Sequence, residues 1–145
     1  MTAAQSDMGF EALTFHREGA VAIITLNRPK AANGLNAQMG LELRRAAKFC
    51  DSSDDIRAVI ITGSGRFFCA GGDVKEMFDQ GDAVGSAIKN LADDLHMAIS
   101  TLSRMKKPVI IALNVNQTAL RLRGLWWSIM AFATIARLKF CQKRG

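Results

Sequence analysis

Close cysteine pairs are missing from this sequence. Its three cysteines, Cys50, Cys69 and Cys141, stand far apart with no CxxC among them. That argues against a zinc site, a metal centre of any cysteine type or a disulfide framework, and it fits a reducing cytoplasmic setting. Residues 1–9 are short, polar and uncharged apart from Asp7, so no signal-peptide pattern opens the chain. There is no internal repeat and no low-complexity linker. Acidic residues are also scarce, but only at one end: no Asp or Glu follows Asp94.

That last absence explains the charge. The net +6 invites a nucleic-acid reading, yet residues 1–115 balance 13 basic against 13 acidic side chains. The excess lies in residues 116–145, in Arg121, Arg123, Arg137, Lys139, Lys143 and Arg144, and both tryptophans, Trp126 and Trp127, lie there too. No zinc pattern, recognition-helix motif or RNP-like strand accompanies these charges, so no nucleic acid is expected as a partner. The chain changes character near Asn116.

What is present is apolar and regularly patterned. With 49% hydrophobic residues in 145, the chain can bury a real core and form one domain rather than two. Residues 20–26 (AVAIITL) form a β-branched run ended by Asn27-Arg28-Pro29, with Leu13 to His16 before it as a hairpin partner. Asn36 can cap a helix over about 37–51, in which Met39, Leu43, Ala46/Ala47 and Cys50 recur at helical spacing. Ala58–Thr62 and Val109–Leu113 read as buried strands. Between them, Val84, Ile88, Leu91, Leu95, Ala98/Ile99, Leu102 and Met105 mark a long amphipathic helix. Helices alternating with nearly continuous apolar strands predict an α/β domain whose sheet is covered by helices.

One stretch carries chemistry. In FFCAGGDVKEM (67–77), a strand and a short loop lead through Ala70-Gly71-Gly72-Asp73 into a short helix, Asp73 to Gln80. Glycines allow backbone to approach a ligand closely, and the N–H groups of such a turn can face an oxygen that becomes negative during a reaction. On this stretch alone, an ordinary strand-to-helix turn explains the residues as well.

Four segments in order resemble the crotonase family, the enoyl-CoA hydratase/isomerase superfamily. They are VAIITLNRPKAANGLN (21–36), IRAVIITGSGRFFCAGGDVKEM (56–77), the long helix from about 84, and KKPVIIALN (106–114). The resemblance spans about residues 10–114 and implies a ββα spiral core, assembled in intact members as a homotrimer or a hexamer. It implies an acyl-CoA thioester as substrate and no other cofactor. It makes the backbone N–H of Gly72 one of two oxyanion-hole donors for a thioester enolate. It places coenzyme A against Lys30, Ala31 and Ala32 on one side and Ala70, Gly72, Asp73 and Val74 on the other. Lys30 and Lys75 could meet CoA phosphates as point charges, or simply be solvated. Cys69 reads as a small core residue, and His16 and His96 as structural.

Beyond Asn114 the pattern breaks. Members of the family continue with a glycine cluster, which supplies the second oxyanion donor, and a helix ending A-C-D, and hydratases carry two glutamates further along. Here the chain reads NVNQTALRLRGLWWSIMAFATIARLKFCQKRG, with neither. Hydration needs one group to activate water and another to protonate carbon. A partial chain without activity of its own is therefore expected, with residues 115–145 a divergent tail. Because FATIARLKFCQ (132–142) drifts back toward family sequence, a reading-frame disruption followed by truncation is expected to underlie that tail. The alternative is a non-catalytic CoA-binding fragment, or one that meets a membrane interface through GLWWSIMAFATIA (124–136). That run is too short to span a bilayer, which needs about 20 residues, and it could equally be a core helix.

Overall fold

The computed structural model describes residues 8–113 and 139–142. Its strands are β1 (Leu13–Glu18), β2 (Val21–Leu26), β3 (Ala58–Gly63), β4 (Val109–Leu113) and β5 (Lys139–Gln142), and its helices are α1 (Ala37–Ser52), α2 (Val74–Asp79) and α3 (Val84–Arg104). The strands form one sheet in the order β1-β2-β3-β4-β5. β1 and β2 are an antiparallel hairpin, and the pairs from β2 to β5 are parallel. Each parallel step moves in the same direction, so right-handed crossovers bring α1 and α3 to the same face. There they pack against one another.

The register lines up the inward rows. Phe15 faces Ile24, Ile24 faces Ile61, and Ile61 faces Ile111. These four are buried together with Met39, Leu43, Ala46, Ala47 and Cys50 of α1, and Ala98 and Leu102 of α3. Each large apolar side chain so buried contributes about 1.5–3 kcal/mol relative to exposure. The Phe15 and Phe49 rings meet edge to face at 5.5 Å, tying β1 to α1. Covering by helices is one-sided among the described residues: burial alternates along β2 and β3, and Val21, Ile23, Ala58 and Ile60 on the far face are only half-buried. The expected cover by helices is thus supplied on one face by the described helices.

The helix ends follow their local chemistry. Asn36 caps α1 as predicted, its Oδ1 accepting from Met39 N at 2.9 Å. The other end of α1 is closed from a distance: Lys107 Nζ donates to the carbonyls of Cys50, Asp51 and Ser53, a cation where the helix dipole is negative. Glu42 sits on the apolar face of α1, fully buried, and accepts from the backbone N–H groups of Glu11, Ala12 and Leu13 at 2.8–2.9 Å. Gln38 Nε2 donates to it as well, at 2.6 Å. The heptad-like spacing of apolar residues hides this carboxylate, which docks the entry of β1 onto α1.

The expectations for residues 115–138 and 143–145, the interfacial run and the disrupted frame included, lie outside the described residues. Lys139–Gln142 pairs in parallel with β4, a strand that the sequence reading did not assign. No helix among the described residues is long and apolar enough to cross a membrane.

Candidate functional site

Two loops at one end of the parallel strands build the site. The first follows β2, where Pro29–Ala31 forms one 3₁₀ turn and the chain reverses through Ala32 and Asn33, both in the left-handed region at φ 50° and 53°. Asn tolerates that region better than other non-glycine residues. Its side chain is fully buried and bonds three ways: Oδ1 accepts from Arg28 N at 2.8 Å, and Nδ2 donates to Ser64 O at 2.9 Å and Phe67 O at 2.7 Å. Asn33 thus fastens the first loop to the second, residues 64–73, which follows β3.

A short parallel bridge then joins the two loops. Ala70 N donates to Ala32 O at 3.0 Å, Leu35 N to Gly71 O at 2.7 Å, and Asp73 N to Leu35 O at 2.9 Å. Leu35 and Gly72 are the bridged pair. The segments predicted to flank coenzyme A, 30–32 and 70–74, are therefore brought together by a direct hydrogen bond.

The bridge also decides where the Gly72 amide points. Among the described residues no peptide bond is cis, so the Gly71 carbonyl and the Gly72 N–H lie on opposite sides of one planar unit. With the carbonyl turned to Leu35, the N–H is turned away from the first loop. Among the described residues it meets no acceptor, and Gly72 is exposed. The Ala70 and Asp73 amides are spent within the bridge. Val74 N, the first amide of α2, has no helical partner. The Met77 methyl lies over Gly72, 2.8 Å from where a Cβ would stand.

A polar cluster holds the turn from the other side. Arg28 places Nη1 on Gly34 O at 2.6 Å and Nη2 on Asp73 Oδ2 at 2.8 Å, with Glu76 Oε2 at 3.4 Å. Asn36 Nδ2 donates to the same Glu76 oxygen at 2.8 Å. Asp73 caps α2 by accepting from Glu76 N at 3.2 Å. That backbone bond first, and the Arg28 guanidinium second, hold the Asp73 carboxyl below the usual range.

The remaining candidates lie apart from this cluster in role. Lys30 and Lys75 are exposed. Cys69 packs beside the core, and burial pushes its thiol up, against the opposing pull of Gly71 N–H. It is no activated nucleophile. His16 stands in β1 with Glu18 at 3.5 Å, and His96 is exposed on α3. Reading the sequence missed Arg28, Asn33, Asn36 as a side-chain partner, and Glu76. Only Asn33 had a signal, the turn-forming Asn33-Gly34 pair; the others act through contacts 40 to 48 residues away in sequence.

Comparison with known proteins identifies the family. The sequence profile of the enoyl-CoA hydratase/isomerase family matches residues 16–119. A probable enoyl-CoA hydratase of Mycobacterium bovis is 50% identical over 72 residues, 50% of this chain and 28% of the relative. The 1,2-epoxyphenylacetyl-CoA isomerase of Escherichia coli is 34% identical over 108 residues, 72% of this chain and 40% of the relative. The crystal structure of an enoyl-CoA hydratase/carnithine racemase from Magnetospirillum magneticum superposes with a TM-score of 0.63 at 33% identity, covering 72% of this chain and 39% of that one. The chain thus spans well under half the length of these relatives.

Proposed function

The chain belongs to the enoyl-CoA hydratase/isomerase family, and from that premise we propose that it carries the coenzyme-A-facing half of an acyl-CoA enzyme's site. In this reading the Gly72 N–H donates to the thioester carbonyl and stabilises the enolate oxygen. Residues Lys30, Ala31 and Ala32 on one loop and Ala70, Asp73 and Val74 on the other line the coenzyme. Because Ala70 N and Asp73 N are spent on Ala32 O and Leu35 O, Ala70 offers its carbonyl to the ligand and Val74 its free amide. One observation carries the reading: the Leu35–Gly72 bridge turns the Gly72 N–H away from Leu35 and leaves it without a hydrogen-bond partner among the described residues. A preorganised donor of this kind lowers a barrier by about 3 kcal/mol where charge develops.

The same reading makes the 145 residues incomplete as a catalyst. Asp73 and Glu76, the acids nearest Gly72 in sequence, are both engaged by Arg28, and no acid follows Asp94. Binding is therefore the property to test. In ¹⁵N-labelled chain titrated with butanoyl-CoA, the Gly72 amide resonance should move downfield. With S-butyl-CoA, a thioether lacking the carbonyl, it should stay while resonances of residues 30–32 still shift. A Gly72 resonance indifferent to both would refute the assignment.

A further inference from the structure

We propose that Arg28 is the positioning residue of the Gly72 donor, fixing the turn that aims it and offsetting the carboxylates beside it. The inference rests on the reading of Gly72 given above. Arg28 sits two residues past β2, and its guanidinium reaches both sides of the Leu35–Gly72 bridge. Nη1 holds Gly34 O at 2.6 Å, one residue before Leu35, and Nη2 holds the carboxylate of Asp73 at 2.8 Å, one residue after Gly72. Its own backbone N–H is pinned by the buried Asn33 side chain at 2.8 Å. A single planar fork therefore spans the two strands of the bridge, next to the two bonds that orient the Gly71–Gly72 peptide. An ammonium at the end of a flexible stem has no comparable fork.

Charge gives a second reason. Asp73 and Glu76 put two carboxylates beside a backbone donor meant for an oxygen that gains negative charge. Such neighbours oppose that charge by Coulomb repulsion. Arg28 touches both, at 2.8 and 3.4 Å. It is the one cation in an ion pair with either of them among the described residues.

The test uses the whole chain and two readouts. In Arg28→Met, hydrogen exchange at the Leu35 and Asp73 amides should accelerate by about tenfold or more, while Ile24 and Ile61 in the sheet keep their protection. Unchanged exchange at Leu35 and Asp73 would overturn the positioning role and leave the reading of Gly72 untouched. The second readout is the affinity of butanoyl-CoA relative to S-butyl-CoA. The native preference for the thioester should fall to parity in Arg28→Met, with S-butyl-CoA affinity kept within about twofold. A merely structural arginine would weaken both ligands alike. A native chain with no preference would instead sink the reading of Gly72. Should Arg28→Met fail to fold, Arg28→Lys keeps the charge and loses the fork. It should accelerate exchange at Leu35 and Asp73 yet retain part of the thioester preference, and native behaviour in both readouts would overturn the proposal.

Discussion

Gly71 and Gly72 are neighbours, yet the backbone demands only the first. Gly71 has φ 102°, a region closed to side-chain-bearing residues, although nothing within 4 Å would meet a Cβ there. Gly72 has no such φ, and an added Cβ would meet only the end of Met77, which can swing aside. Gly71→Ala should therefore lose about 1–2 kcal/mol of stability in urea unfolding. Gly72→Ala should lose much less and keep its outward N–H, so its butanoyl-CoA affinity should stay near native. The reverse order of stabilities would show that crowding, not φ, rules this turn. Asp73, next in line, carries a pH prediction. Its folded carboxyl lies below the ordinary carboxylate value, so its bonds to Glu76 N and Arg28 add stability above the unfolded value of about 3.9. That contribution is complete at neutral pH and disappears as pH falls through the lowered folded value. The Glu76 amide shift should titrate below pH 4, and Asp73→Asn should flatten that part of the acid limb of stability. A Glu76 amide inflecting above pH 4 would contradict the sign.

At the scale of elements, the helices and strands were legible because their apolar spacing is local. Asn36 as the cap follows from its side-chain oxygen just before the helix, and Met39 to Cys50 as the buried stripe of α1 follows from 3.6-residue periodicity. What periodicity could not show is Glu42, a charge set in that stripe and matched by backbone donors 29 to 31 residues earlier. Ile88 erred the other way: it fits the apolar stripe of α3 but is 44% exposed, because it lines an open cavity with Leu35, Ala37 and Met77 and is not packed into the core. The Glu42 pocket yields a sharp expectation. Glu42→Leu keeps the size but strands the amides of Ala12 and Leu13 in a buried place, at about 1–3 kcal/mol for each group. A total loss of about 3 kcal/mol is expected in urea unfolding, with exchange at residues 11–13 accelerating before the rest of the sheet. A Leu variant as stable as the native chain would mean that water replaces the carboxylate. The candidate site was legible only in part: the Ala70–Asp73 turn announces itself through its glycines. Its clamp does not, because Arg28 and Glu76 meet through folding and not through spacing.

On the scale of the whole molecule, the question is whether a well-built donor is enough for catalysis. Adding water to a 2-enoyl thioester requires a base for the water and an acid for the α-carbon, and positioned groups of this kind contribute about 10²–10⁴-fold each. Near Gly72 the sequence offers Asp73 and Glu76. Asp73 is held ionised by Arg28 and the Glu76 amide, so its carboxyl is a weak base and cannot lend a proton at neutral pH. Glu76 has one oxygen taken by Asn36 and Arg28 and serves the same clamp. Freeing either acid for chemistry would loosen the turn that aims the donor. The 145-residue chain should therefore bind butanoyl-CoA through its two loops while hydrating 2-butenoyl-CoA no faster than buffer, followed as loss of enoyl-thioester absorbance. Should turnover appear, Glu76→Gln decides its source. Activity that vanishes with this change would make Glu76 a base despite its clamp, and activity that survives would place the proton transfer on groups outside the Arg28 cluster.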